Sequence, residues 1–134
     1  MSIHTRRDYL LTVAKALPAA AANNDSASID LGNTTPGVVA DAIEVEIALP
    51  ALPDLVEAKT VTCTLQDSAN DSSFTAITGL STFVVTGGTG NGAPAATRVV
   101  RLPSSVRRYI RVNTAVLTAG GDNTAKSVTL SLLV

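Results

Sequence analysis

Few side chains in this sequence are of the types that do chemistry. His4 is the only imidazole and Cys63 the only thiol. A nucleophile needs a base held beside it, and a protein-only zinc site usually takes about four nitrogen or sulfur ligands. His4 lies ahead of the first apolar run, where no surrounding shell can orient it. Cys63 alternates with Val61 and Leu65, the parity of a small core residue. Glu44 and Glu46 share one face of an extended segment, about 7 Å apart at a strand rise of ~3.4 Å per residue, and could pair for acid and base work. Nothing near them marks a sugar cleft, and solvated strand glutamates are the plainer reading. Asp67, Asn70 and Asp71 offer oxygen ligands but lack the glycine and terminal glutamate of a calcium loop, so an Asx-rich turn is expected. The glycine-rich run Gly87–Gly92 lacks the Gly-Lys-Ser/Thr of a phosphate loop and precedes Ala93-Pro94 and another strand, which reads as a flexible hairpin loop. No enzyme, metal site or cofactor is expected from this set.

The dense cationic feature is Arg107, Arg108 and Arg111 around Tyr109, a set able to grip carboxylates bidentately or to stack. Net charge is only −1 and aromatics make up 3% of the chain, so nucleic acid is the weaker partner and protein the stronger. That near-neutrality is a sum of unlike parts. Residues 1–17 carry +2, residues 18–74 carry −8 and residues 75–134 carry +5. Interleaved strands would cancel these charges pairwise, whereas separate surfaces would give the molecule complementary faces for assembly.

The elements that hold these residues are strands. The chain's 134 residues suit one domain. From Ser28 on the apolar period is two. Val45, Ile47 and Leu49 alternate with Glu44, Glu46 and Ala48, and Val128, Leu130 and Leu132 alternate with Thr129 and Ser131. Val61–Leu65 and Tyr109–Asn113 behave alike, and weaker runs lie at 27–31, 74–78, 82–86 and 97–102. Prolines 36, 50, 53, 94 and 103 fall in or beside the connections. About eight strands result, and an all-β antiparallel β-sandwich follows, with a jelly roll ahead of an immunoglobulin-like arrangement, which would want a disulfide pair and a buried Trp.

Residues 1–26 are expected to form an N-terminal arm ahead of a 27–134 domain. Tyr9, Leu10, Val13 and Leu17 fall on one face of a short helix over about 6–17, ended by Pro18. The same helix packed on its own domain is the plainer alternative. Asp8 and Lys15 interrupt the apolar stretch too early for an export signal, and no run approaches the ~18 apolar residues of a membrane span.

The stretches Ser28–Gly32, Val61–Ser68 through Phe74, Arg108–Val112 and Ser127–Val134, in that order, resemble the capsid cement, or decoration, proteins of short-tailed bacteriophages. The resemblance implies a small jelly roll with an extended arm. It also implies a structural protein on the outer capsid surface of the virion, bound as a homodimer, or else a trimer, that bridges subunits of the major capsid protein and stabilises the shell against DNA pressure. On that footing Tyr9, Leu10, Leu11 and Val13 are expected to anchor the arm, and Arg6, Arg7, Arg107, Arg108, Tyr109 and Arg111 to contact a capsid or self interface. A carbohydrate- or receptor-binding sandwich module is the alternative, disfavoured by the shortage of stacking aromatics.

Overall fold

The computed structural model of the protein describes residues 7–32 and 43–133, with backbone alone for 7–10. Its described residues form ten strands and no helix. They are β1 (Arg7–Ala16), β2 (Asn23–Asp25), β3 (Ile29–Asp30), β4 (Glu44–Leu49), β5 (Thr60–Ser68), β6 (Thr75–Ala76), β7 (Phe83–Thr86), β8 (Ala96–Arg101), β9 (Tyr109–Val116) and β10 (Ser127–Leu133). All pairings between these strands are antiparallel.

One sheet runs β1-β10-β4-β8 and the other is built on β9 and β5. β2 and β3 follow one another along the free side of β9, and β6 and β7 along the free side of β5. With each of these two pairs counted as one broken strand, eight strands divide between two four-stranded sheets in the orders 1-8-3-6 and 2-7-4-5. Consecutive segments therefore cross from sheet to sheet, except that β5 leads to β6 and β7 within the second sheet, and most ladders join residues far apart in sequence.

The alternation read from the sequence is the alternation of burial. Val45, Ile47 and Leu49 point inward from β4 against Val128, Leu130 and Leu132 of β10, and they face Val61, Cys63, Leu65, Ile110, Val112 and Val116 across the sandwich. β-Branched and leucine side chains fill this interior without help from large rings. Leu52, Leu55 and Val106 are also fully buried, although each lies in a connection.

The N-terminal helix expected over 6–17 is corrected to a strand. β1 pairs β10 from Thr12↔Ser131 to Ala16↔Ser127, after a register shift between Arg7 and Thr12. Leu11 and Val13 pack against the core, and Leu17 is buried. An amphipathic helix would satisfy only its own backbone, while the open edge of β10 offers this run a partner for every second residue. Residues 23–25 likewise join the second sheet through β2. Thus 7–26 supplies an outer strand to each sheet.

One end of the sandwich is stitched by its loops. Leu52 and Ala93 exchange backbone hydrogen bonds, Gly92 donates to Leu55, Val56 to Gly120, and Ala58 to Gly87. The glycine-rich run is therefore held against residues 52–58 instead of standing clear as the flexible hairpin expected. Gly121 makes a close approach there, with a φ of +87° and Asp54 O only 2.2 Å from where a Cβ would sit. Gly121→Ala should cost about 2 kcal/mol or more, read as a lowered denaturation midpoint with an unchanged slope.

Candidate functional site

The arginine set gathers at the other end of the second sheet, where residues 66–75, 30–32 and 103–108 meet. Register explains the gathering: β9 lies between β3 and β5, with Tyr109 opposite both Asp30 and Ser68, and Arg111 opposite Gln66.

Arg107 just precedes β9 and is committed internally. Its Nε and Nη2 donate to Asp67 Oδ1 at 3.1 and 2.7 Å, Nη2 also donates to the Asp67 carbonyl and to Thr75 Oγ1, and its backbone N–H reaches Asp67 Oδ2. Asp67 is only 5% exposed. A carboxylate taken that far out of water needs this many donors, so the pair is a clamp tying β5, β6 and the approach to β9.

Arg108 meets Asp30 in a bidentate fork, Nε to Oδ1 at 2.8 Å and Nη2 to Oδ2 at 2.9 Å, and its guanidinium carbon stands 5.2 Å from the Tyr109 ring centre. This pair is open to solvent, which screens it. The Arg108 hydrogen bonds first, and the Gly32 N–H second, hold the Asp30 carboxyl below its ordinary 3.8. A depressed folded-state carboxyl contributes stability above its unfolded value that is lost as pH falls through the lower folded one. Carbon-detected NMR titration should place Asp30 below 3.8 in the native protein and move it upward in Arg108→Ala, where the Gly32 N–H alone still favours the carboxylate.

The Arg111 guanidinium carbon stands over Phe74, 4.0 Å from the ring centre, while its Nε donates to Gln66 Oε1 at 2.8 Å and Nη2 approaches Asp25 Oδ2 at 3.4 Å. Asp25 also accepts from Asn113 Nδ2 at 2.7 Å. The three arginines are thus answered by Asp67, Asp30 and Asp25. The basic and acidic parts of the chain interleave here, and the end of the sheet is a neutral, half-buried polar network with Tyr109 at its margin.

The other residues singled out in the sequence do not converge. Cys63 is buried beside Thr114, its Sγ 3.9 Å from Oγ1, and burial pushes the thiol up to about 11. A disulfide-exchange reagent should therefore leave Cys63 unlabelled in the native protein and modify it fully in denaturant. Glu44 and Glu46 project from the outer face of the first sheet, Glu44 opposite Arg101 and Glu46 opposite Val99. Asn70 Oδ1 accepts from Ser68 Oγ and from the N–H groups of Ser72 and Ser73, an Asx-type turn. Among the described residues no group of three His, Cys, Asp or Glu side chains is placed to hold a metal ion, and no helix is long and apolar enough to cross a membrane. A shallow groove of about 270 Å³ on the second sheet is lined by Ala21, Asn23, Thr60, Thr62, Ala115 and Leu117 among others, none of them titratable.

His4 and Arg6 lie outside the described residues, as do the side chains of Arg7, Tyr9 and Leu10. Leu11 and Val13 are taken up by the protein's own core. Residues that sequence reasoning misses include Asp67 as the centre of the clamp and Phe74 as the platform for Arg111. The only signal for either is that acids and an aromatic stand in a segment destined to neighbour β9.

No curated protein matches this chain. A family model described as Bbp16 matches residues 11–132, from within the first strand to within the last. With nearly its whole length covered, including every strand that builds the two sheets, the chain belongs to the Bbp16 family.

Proposed function

We propose that the protein is a structural virion component that binds the outside of an icosahedral phage shell and clips neighbouring major capsid subunits together. The observation that carries this reading is the strand order 1-8-3-6 and 2-7-4-5, which we read as a jelly roll. Its resemblance in sequence to capsid cement proteins runs through four of those strands, β3, β5, β9 and β10. A clip must resist being stretched. A close-packed aliphatic interior suits it to that role, as do loops stitched at one end by backbone hydrogen bonds. Repetition over many equivalent sites would turn modest affinity per copy into strong stabilisation of the whole shell.

In this reading Arg108, Tyr109 and Arg111 lie at the contact, because exchange of their exposed aspartate partners for a capsid carboxylate costs little. The test is co-sedimentation of the full chain with expanded shells of its cognate major capsid protein, followed by thermal release of DNA from filled particles. Saturable binding and a higher release temperature are expected. Absence of binding, or hits on a glycan array in its place, would reject the clip and favour a receptor-binding module.

A further inference from the structure

We propose that the outer edge of β8 is where a second copy of this chain adds its own β8, joining the two first sheets into one continuous sheet across a two-fold axis at Val99. An open edge is a standing invitation to pairing, and proteins usually blunt it with breaks, short strands or bulges. Three of the four edges here are blunted. β1 carries a register shift, β2 and β3 are segments of three and two residues, and β6 and β7 of two and four. β8 is different: its six residues hold an unbroken register with β4, and among the described residues no strand pairs its other side.

The phase of that edge can be read from one bond. Leu102 N–H donates to the Ile43 carbonyl at 3.0 Å, continuing the β8–β4 ladder by one step. In an antiparallel ladder hydrogen-bonded and non-bonded pairs alternate, so even-numbered residues of β8 bond toward β4. The N–H and C=O of Thr97, Val99 and Arg101 therefore point outward.

A two-fold axis normal to the sheet must match odd residues to odd residues, and three registers do so over most of the strand. Centring on Arg98 sets that cation against its own copy. Centring on Val100 sets Thr97 against Pro103, which has no N–H to give. Centring on Val99 pairs Val99 with itself and Thr97 with Arg101 in both directions. Every outward donor then meets an acceptor, and no like charges are opposed. Val99, 50% exposed and on the outward face, would be covered by its own copy. The edge is thus self-complementary, as an isologous contact requires, and the second copy is the occupant it fits.

A dimer that ignores shells would reject only the capsid reading, and a shell-binding monomer would reject only the β8 contact. Sedimentation equilibrium of the full chain at micromolar concentration should give a dimer. Directly paired Cα atoms about 5.5 Å apart suit a disulfide, so Val99→Cys should cross-link under mild oxidation. Val84→Cys and Leu117→Cys, at sites of similar exposure, should not, and buried Cys63 stays silent in all three. Val99→Glu and Val99→Lys should each weaken dimerisation on the order of 100-fold, and an equimolar mixture of the two should restore it. Circular dichroism of each variant confirms that it is folded. A monomeric wild type, cross-linking through Val84→Cys or Leu117→Cys, or a dimer undisturbed by Val99→Glu would overturn the proposal.

Discussion

Deleting residues 1–16 is expected to lower stability by about 5 kcal/mol, on the order of 15–25 °C in melting temperature, and to leave a chain that aggregates. The deletion removes β1 and with it the packing of Leu11 and Val13 on the core and the ladder from Thr12↔Ser131 to Ala16↔Ser127. It also bares β10, a seven-residue strand whose Leu130, Leu132 and Leu133 are all buried in the intact molecule. Such an edge is long, flat and apolar, the pattern that recruits other chains. Differential scanning calorimetry and light scattering at matched concentrations would check both parts. A folded, monodisperse product would mean that the segment is a dispensable arm after all. The choice matters for any docking experiment, since loss of shell binding on such a deletion would report loss of the fold.

Arg107→Ala should cost about 3–4 kcal/mol, and Asp67→Ala about 2. The asymmetry follows from burial. Removing the guanidinium strands a carboxylate whose side chain is 8% exposed and leaves it one backbone donor, the N–H of residue 107. Removing the carboxylate frees an arginine whose side chain is 30% exposed and can turn to water. Arg107→Lys should recover only part of the loss, because one ammonium cannot span Asp67 Oδ1, the Asp67 carbonyl and Thr75 Oγ1 together. Urea denaturation of the singles and the double variant, combined as a cycle, gives the coupling. Equal costs for the two single variants would show that the pair is hydrated and not a clamp.

Some of this is legible in the sequence and some cannot be. The alternation in β4, β5, β9 and β10 is plain, because β-branched residues at period two admit little else. In the first segment Tyr9, Leu10, Val13 and Leu17 fit a helix, but Leu11, Thr12 and Val13 fit a strand equally well. The deciding fact, an open edge on β10, lies more than a hundred residues away. The arginines are visible as a cationic cluster, yet their neutralisation by Asp25, Asp30 and Asp67 depends on which strands flank β9. Leu52 and Leu55 stand among prolines and an aspartate and read as turn, although burial under the stitched loops makes them core.

The hydrogen bond between Thr12 and Ser131 spans 119 positions of sequence. A chain made at roughly 5–20 residues per second therefore has its first strand waiting some ten seconds for the strand that completes its sheet. Non-local pairing of this kind also folds slowly, in milliseconds to seconds once the chain is whole. The protein has no stable half. Its β2 stays unsatisfied until β9 has left the ribosome and its β1 until β10 has, so the two sheets close, and the molecule becomes competent for partners, only once β10 is made.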